Sequence, residues 1–219
     1  MCLSQKSSQR LTNLSVTAPY FPTARKQPVE KMTEGRRDFD AAAASWDENP
    51  GRVKVADDIA KAIRETVKPQ PGWEALDFGC GTGLLTLRLR PSVHGITGVD
   101  TSRGMLDVLE AKVAQQKLAN VKTLLADLEK GDTLDGQYDL VASSMTFHHV
   151  KEIGPVVATL AGVLKPGGVL AIADLDSDEG KFHESPEGVF HNGFDRCTIQ
   201  KAFCSAGLTD VRNRTAVII

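Results

Sequence analysis

An acid and three glycines lie close together in the stretch LDFGCGTGLL, residues 76–85. Asp77 precedes Gly79, Gly81 and Gly83, which form the pattern G-x-G-x-G. Glycine permits positive φ angles, and its missing Cβ lets a ligand approach the main chain closely. Such a turn between a strand and a helix could therefore bind a nucleotide-like ligand, although a turn without any ligand can have the same pattern.

Two further carboxylates end predicted strands at spacings that suit a nucleoside. Asp100 lies about 20 residues beyond Gly79, where a carboxylate can accept hydrogen bonds from both ribose hydroxyls. Met105, one helical turn farther on, could pack on a purine face. Asp127 could accept a hydrogen bond from an exocyclic adenine amine. The alternative interpretations are a helix cap, a core side chain and a solvated turn residue, respectively.

The glycine spacing distinguishes the nucleotide-binding classes. A P-loop needs Lys followed by Ser or Thr after its glycines, and the residues after Gly83 offer neither. The dinucleotide pattern is G-x-G-x-x-G, whereas here the third glycine comes one residue early and Leu84 occupies its place. The spacing favours a nucleoside without phosphates, but an NAD-dependent oxidoreductase stays open on this pattern alone.

Composition excludes several other classes of protein. A net charge of -2 over 219 residues gives no basic excess, so we expect no nucleic-acid partner. No apolar run is long enough to span a bilayer. The four cysteines include no C-x-x-C pair, so the sequence predicts neither a zinc site nor another metal site. Oligomeric state is not predicted by any feature of the sequence.

Short apolar strands alternate with amphipathic helices from residue 74 to residue 175. This alternation predicts an α/β fold with a doubly wound, mostly parallel, Rossmann-like sheet and helices on both faces. Right-handed crossovers bring the carboxyl ends of the strands to one edge, where ligands bind. The glycine turn and the strand-ending acids all map to that edge.

The two ends of the chain differ from this pattern. Residues 1–36 are basic, rich in Ser, Thr, Gln and Pro, and lack helical periodicity, so we expect a disordered tail before a domain at 37–219. The same composition is compatible with a mitochondrial transit peptide, and the other expectation is a cytoplasmic protein. After the last predicted helix, residues 208–219 suffice for one good strand or two very short ones.

Five segments in the right order carry a resemblance to a known family. They are ALDFGCGTGLL, GVDTSRGML, LLADLEK, YDLVASSMTFHHV and VLKPGGVLAIAD. Together they resemble the motifs of class I S-adenosylmethionine-dependent methyltransferases, in the small-molecule branch that includes quinone-ring methylating enzymes. The resemblance implies S-adenosylmethionine as cofactor and a small-molecule methyl acceptor. The family sheet usually ends in an antiparallel strand pair, and the short C-terminus leaves open whether that pair is complete.

The resemblance assigns roles around the methionine and ribose parts of the cofactor. Asp77 and the Gly79–Gly83 loop would hold the methionine part, with Asp77 as partner of its ammonium group. Asp100 would bind the ribose hydroxyls. Ser143, at the end of the fourth predicted strand, would lie near the methionine and the transferred methyl group.

The resemblance also assigns the adenine contacts and a cover for the cofactor. Met105, Asp127 and Leu128 would border the adenine. Phe39 and Trp46 match aromatic positions in the family's N-terminal helix, which covers the cofactor.

Histidines are the candidate general bases. An acceptor that carries a proton is helped by a base, and imidazole is the natural base near neutral pH. By position, His149 is the first catalytic candidate and His191 the second. His148 and His183 lie in the same two segments. The alternative for each of them is a surface or structural imidazole.

Three functions follow from these residues. The leading hypothesis is a small-molecule methyltransferase, in which Asp174 and Asp176 at the end of the fifth predicted strand could orient the acceptor. The second is an NAD-dependent oxidoreductase. The third is a methyltransferase-like protein that binds the cofactor or a partner without catalysis.

Overall fold

A computed structural model describes residues 2–6, 15–17, 38–177, 182 and 187–218. The strands are, in chain order, β1 (Cys2–Lys6), β2 (Ser15–Thr17), β3 (Glu74–Phe78), β4 (Gly95–Asp100), β5 (Val121–Leu125), β6 (Tyr138–Ser144), β7 (Leu164–Ala173), β8 (Leu208–Asn213) and β9 (Thr215–Ile218). The α-helices are α1 (Phe39–Ala42), α2 (Pro50–Val67), α3 (Leu84–Leu89), α4 (Arg103–Gln115), α5 (Ile153–Gly162) and α6 (Arg196–Ser205).

The main sheet has the strand order β5-β4-β3-β6-β7-β1-β8 within the described part of the chain. Strands β3 to β7 run parallel to one another, which confirms the predicted doubly wound α/β sheet. The chain moves outward from β3 to β5 and then returns to β6 on the other side of β3. The winding therefore reverses between β3 and β6, where open α/β sheets bind their ligands.

The core forms two layers because neighbouring residues of a strand point to opposite faces. Ala75 packs in one cluster with Ile59 of α2, whereas Leu76 packs in another with Leu160 of α5 and Phe203 of α6. All of these side chains are almost completely buried. Each fully buried Leu, Ile or Phe contributes about 1.5–3 kcal/mol to stability. The helices on the two faces thus hold the strand ends in fixed positions.

Helix α2 begins at the ligand edge of the sheet. The Asn49 side chain accepts hydrogen bonds from the backbone N–H groups of Gly51 and Arg52, and Pro50 occupies the first helical turn, where its missing N–H costs nothing. Lys68 ends the helix in the left-handed conformation. These signals fix the first turn of α2, including Arg52, beside the glycine loop.

The C-terminal segment forms two short strands, one of the two possibilities that the sequence left open. β8 is an edge strand of the main sheet, and β9 pairs in parallel with β2. The position between β7 and β8 is occupied by β1, which is antiparallel to both.

The N-terminal segment was expected to lack regular structure, but β1 and β2 lie within it. Its other residues up to 37 lie outside the described part of the chain, so the domain boundary at 37 stays a prediction. No helix in the described ranges is both long and apolar enough to cross a membrane.

Candidate functional site

The glycine loop after β3 has three positive φ angles, at Gly79, Gly81 and Gly83. A Cβ on Gly79 would lie 2.2 Å from Thr146 Cγ2, and one on Gly83 would lie 2.3 Å from Leu109 Cδ1. These two glycines are therefore required by packing within the protein. A Cβ on Gly81 would meet nothing nearer than a sulfur at 3.9 Å, so Gly81 is the glycine that leaves open space for a ligand.

Asp100 joins the glycine loop to the start of α4. Its Oδ2 accepts a hydrogen bond from the Gly81 N–H at 2.7 Å, and its Oδ1 accepts one from the Ser102 N–H at 2.9 Å. Burial raises the pKa of Asp100, and these backbone donors oppose that shift. Ser102 caps α4 by accepting from the Met105 N–H. The carboxylate thus remains at the cavity wall in a fixed orientation.

Asp77 is buried with one carboxylate oxygen unsatisfied. Its Oδ2 accepts a hydrogen bond from Thr86 Oγ1 at 2.6 Å, whereas Oδ1 has no hydrogen-bond partner among the described residues. Burial raises the pKa of Asp77 to about 7; the Thr86 hydroxyl opposes this shift and the nearby Asp100 adds to it. A buried carboxylate without a counter-ion is unfavourable, so this atom suits a cationic donor bound in the cavity.

A cavity of about 990 Å³ opens beside the glycine loop, at the switch point of the sheet. This volume is at the upper end of the range for small-molecule sites. The sequence-predicted residues in its wall are Trp46, Asp77, Gly79, Gly81, Asp100, Met105, Asp127, Leu128 and His149.

Three predicted residues lie outside that wall. Gly83 packs against Leu109 instead. Ser143 is fully buried, and its Oγ donates a hydrogen bond to the Phe78 carbonyl at 2.8 Å. His191 has its Nε2 2.9 Å from the Val150 carbonyl oxygen. Gly83 therefore supports the glycine loop, Ser143 joins the ends of two strands, and His191 supports the cavity wall.

The remaining candidates are Asp174, Asp176 and His183, which follow the fifth strand of the predicted sheet. Asp176 makes a bidentate ion pair with Arg196, at 2.7 and 3.0 Å, which joins the end of β7 to α6. His183 lies outside the described residues. Asp174 is buried and contacts His148, the histidine that was not a first choice.

The predicted adenine end of the cavity is formed by the turn after β5. Asp127 Oδ1 accepts a hydrogen bond from the Glu129 N–H at 3.1 Å, and the Asp127 N–H donates to Asp132. Lys130 Nζ lies 3.3 Å from Asp127 Oδ2. Met105 is buried beneath Gly81, and Leu128 follows Asp127 in the wall. Asp127 and Asp132 therefore stabilise the turn through hydrogen bonds from its backbone N–H groups.

Residues 38–48 cover the cavity and are tied to it by two acids that the sequence analysis did not select. Asp40 Oδ1 accepts hydrogen bonds from Ser102 Oγ at 2.5 Å and from the Gly104 N–H at 2.7 Å. The Ser102 hydroxyl, and then the Gly104 N–H, lower the pKa of Asp40.

Asp47 makes the second tie. It accepts a hydrogen bond from Thr82 Oγ1 at 2.5 Å and forms an ion pair with Lys112. A sequence feature could have identified both acids, since each of the two aromatic residues in the segment DFDAAAASWDE is next to an acid.

Aromatic and cationic side chains line the inner side of this cover. The Phe39 ring makes edge-on contacts with Trp46 at 5.8 Å and with His149 at 5.0 Å between centroids. The Arg52 guanidinium lies 3.9 Å from the centre of the Trp46 ring, and its Nη1 is 3.3 Å from the Trp46 carbonyl oxygen. Arg52 and Lys130 are the cations among the described lining residues. The sequence analysis missed Arg52, which no motif marks.

Two adjacent histidines, His148 and His149, form another part of the cavity wall. His148 Nδ1 lies 2.7 Å from Asp174 Oδ1, and both side chains are almost completely buried. His149 Nδ1 lies 2.6 Å from the Gly188 carbonyl oxygen. Both histidines line the cavity. This wall therefore presents two imidazoles whose Nδ1 atoms are already occupied.

Comparison with known proteins agrees with this geometry. Residues 76–172 match the family described as a methyltransferase domain. An uncharacterised methyltransferase of Schizosaccharomyces pombe is 33% identical over 155 residues, 64% of this chain and 54% of that protein. A ubiquinone biosynthesis O-methyltransferase of Marinobacter nauticus is 29% identical over 150 residues, 66% of this chain and 63% of that protein.

A solved structure shows the same fold. The S-adenosylmethionine-dependent methyltransferase from Aquifex aeolicus matches with a TM-score of 0.63 at 23% identity, over 77% of this chain and 87% of that chain. The chain spans about half the length of the first curated relatives that it matches.

The family match assigns residues 76–172 to a methyltransferase domain, and the solved structure shows the predicted α/β fold. The curated methyltransferases agree with the predicted family and enzyme class. The residues present also fit S-adenosylmethionine, because Asp77 lines the cavity with a buried oxygen that lacks a donor among the described residues, and the ammonium of the cofactor could be that donor.

Proposed function

We propose that this protein transfers the methyl group of S-adenosylmethionine to an oxygen, nitrogen or carbon nucleophile of a small-molecule acceptor. S-Adenosylhomocysteine is the second product. The observation that carries the proposal is the buried Asp77 Oδ1, which has no donor among the described residues and belongs to a side chain that lines a cavity of about 990 Å³. The methyltransferase-domain match supports methyl transfer, and the class of acceptor is inferred from the aromatic part of the cavity wall.

The chain offers a matching group for each part of the cofactor. Asp77 pairs with the ammonium, and Arg52 at the start of α2 is the cation that suits the carboxylate. Asp100 binds the ribose hydroxyls with the lone pairs that its two backbone donors leave. Met105 and the Asp127 turn border the adenine. Ionic pairs in such a shielded site are stronger than in water, so they fix the cofactor's orientation.

The acceptor side of the cavity is aromatic. Phe39, Trp46 and His149 belong to its wall and contact one another through their rings. The sulfonium of the bound cofactor supplies an electrophilic methyl group, so the protein mainly has to align the acceptor atom with it and exclude water. A flat aromatic acceptor would pack against these rings.

Histidine at this wall can take the proton of the acceptor. Carbonyl oxygens only accept, so His149 Nδ1, which contacts the Gly188 carbonyl, carries the hydrogen. The lone pair of the neutral ring is then on Nε2, so His149 stays a candidate base. His191 has the second place in that prediction, and its ring nitrogen contacts a backbone carbonyl outside the cavity wall.

The names of the relatives favour oxygen as the acceptor atom. One of them is named a ubiquinone biosynthesis O-methyltransferase, and such an enzyme methylates oxygen. An aromatic hydroxyl suits both the ring-lined wall and the imidazoles. Phenols and catechols are therefore the first compounds to test.

Calorimetry followed by an acceptor screen tests the proposal. We expect binding of S-adenosylmethionine and S-adenosylhomocysteine but not of NAD, and release of S-adenosylhomocysteine with a phenol, catechol or aromatic amine. Tight NAD binding without binding of S-adenosylmethionine would show an oxidoreductase. Cofactor binding with no turnover across the screen would show a non-catalytic binding protein.

A further inference from the structure

The buried pair His148–Asp174 has no part in the proposed cofactor contacts, yet His148 lines the same cavity. Asp174 follows β7 directly and is 6% exposed. Its carboxylate accepts from three donors: the Phe147 N–H at 2.7 Å, the Leu175 N–H at 2.8 Å and His148 Nδ1 at 2.7 Å. Burial alone would raise the pKa of Asp174, but the His148 ring and the backbone donors hold it below its ordinary value. The carboxylate is therefore ionised and rigidly placed.

The carboxylate determines which nitrogen of His148 is basic. An ionised carboxylate only accepts, so Nδ1 carries the hydrogen and Nε2 carries the lone pair of the neutral ring. The same reasoning places the lone pair of His149 on Nε2. Both histidines thus have the hydrogen on Nδ1 and the lone pair on Nε2. They differ in the group that accepts from Nδ1, which is a carboxylate for His148 and a backbone carbonyl for His149.

That difference favours His148 as the proton acceptor. When an imidazole takes a proton it becomes a cation, which a fixed carboxylate on the far nitrogen stabilises more than a neutral carbonyl does. Asp174 is anchored by two backbone N–H groups at the end of a central strand. Gly188, behind His149, lies in the loop before α6 and offers a carbonyl dipole. A buried ionisable pair of this kind in a cavity wall marks a functional site more often than a surface pair does.

We propose that His148, oriented and charge-stabilised by Asp174, is the general base that removes the proton from the methyl acceptor. This rests on the proposed function. As the acceptor atom forms its bond to the methyl carbon, the bond between that carbon and the cofactor sulfur breaks with its electron pair going to sulfur. The proton of the acceptor moves to His148 Nε2 and then to solvent. His149 contacts the acceptor together with Phe39.

The alternative is that the pair only fastens the turn at residues 147–149 to the end of β7. His148→Asn separates the two roles, because the Asn amide can donate to Asp174 from nearly the position of Nδ1 but cannot act as a base. His149→Asn is the matched control on the neighbouring residue. His148→Gln repeats the test if the Asn variant does not fold. Asp174→Asn examines the supporting carboxylate, since its amide would donate to Nδ1 and move the hydrogen to Nε2.

The measurements are the single-turnover methylation rate on the acceptor found in the screen and the affinity for S-adenosylhomocysteine. We expect His148→Asn to lower the rate about 10²- to 10⁴-fold, with affinity for S-adenosylhomocysteine unchanged within about twofold, as for a pure loss of a base. His149→Asn should lower the rate less than about tenfold. Asp174→Asn should follow His148→Asn with a smaller loss.

Two results would overturn the proposal. Near wild-type turnover of His148→Asn would leave the pair as a structural fastening. A larger loss in His149→Asn than in His148→Asn would assign the base to His149, as the sequence predicted. The proposed function fails in a different way, since wild-type protein would then bind S-adenosylhomocysteine but methylate none of the probes, and both proposals would fall together.

Discussion

The cofactor side and the acceptor side of the cavity are built in different ways. The cofactor side comes from continuous strand–turn–helix units, in which β3 leads through the glycine loop into α3 and β4 leads through Asp100 into α4. The acceptor side is assembled from three separate segments: residues 38–48, the turn at 147–149 and the loop before α6. A local unit leaves a readable spacing in the sequence, whereas a wall made of distant segments does not.

The first test of this difference concerns Asp77, which belongs to the cofactor side. We expect this residue to have the largest effect on the pH dependence of the unfolding free energy. The pKa of Asp77 is raised to about 7 in the folded protein from an ordinary 3.8. The folded state therefore holds a proton that the unfolded state releases between about pH 4 and 7. Stability should fall as the pH rises through that window and level off above it, by up to about 4 kcal/mol.

Denaturant unfolding of the wild type and of Asp77→Asn at pH 5, 6, 7 and 8 measures this effect. The difference between the two proteins removes the contribution of other titrating groups. Asp77→Asn should be the more stable at pH 8, because it buries no charge. Parallel pH profiles for the two proteins would show that Asp77 titrates normally.

The second expected effect concerns cofactor affinity at the same residue. Asp77→Asn removes the charge that faces the ammonium, so the affinity for S-adenosylhomocysteine should fall by about 2–3 kcal/mol. 5′-Methylthioadenosine, which lacks the amino-acid part, should bind both proteins equally. Calorimetry at pH 8 measures both ligands. His149→Asn, on the acceptor side, should leave both affinities unchanged, and an equal loss in that variant would abolish the distinction between the two sides.

Sequence reasoning succeeded where a residue's neighbours in space are also its neighbours in the chain. The parallel sheet follows from the periodicity of the apolar residues, and the glycine loop follows from short-range spacing. Arg52 was missed because its stacking partner, Trp46, meets it only after the chain turns between residues 48 and 50. Asp40 was missed for a similar reason, since its partner Ser102 lies 62 residues away.

The acceptor wall shows the same limit. His149 could be placed at the ligand edge from the sequence, but the pairing of His148 with Asp174 joins residues 26 apart on two strand ends. No spacing rule links them. The strand β1 was missed because its residues carry no alternation that separates them from the surrounding polar segment.

A third effect tests whether the far side of the sheet is independent of the cofactor side. Deletion of residues 1–7 would remove β1 from its position between β7 and β8. The lost backbone hydrogen bonds, offset by the ordering entropy of the strand, should lower the unfolding free energy on the order of 2 kcal/mol. Affinity for S-adenosylhomocysteine should not change. A fall in affinity as large as that of Asp77→Asn would show that the sheet transmits the loss to the glycine loop.

The smallest expected effect lies at the contact between the two sides, where the cover meets the glycine loop. Asp47→Ala removes the hydrogen bond from Thr82 and the ion pair with Lys112, both of which fasten residues 38–48 over the cofactor. The affinity for S-adenosylhomocysteine should fall by about 1 kcal/mol, the net value of such a part-exposed contact.

The matched control is Asp57→Ala, which breaks a comparable ion pair with Arg88 away from the cavity. Calorimetry on both variants compares the two acids directly, and Asp57→Ala should bind the ligand like the wild type. A loss of affinity in Asp47→Ala together with unchanged stability means that the cover contributes to binding by closing over the ligand. Equal affinities for S-adenosylhomocysteine in the two variants would mean that residues 38–48 do not contribute to cofactor binding. These residues would then belong to the acceptor side alone, and the cofactor side would begin at the glycine loop.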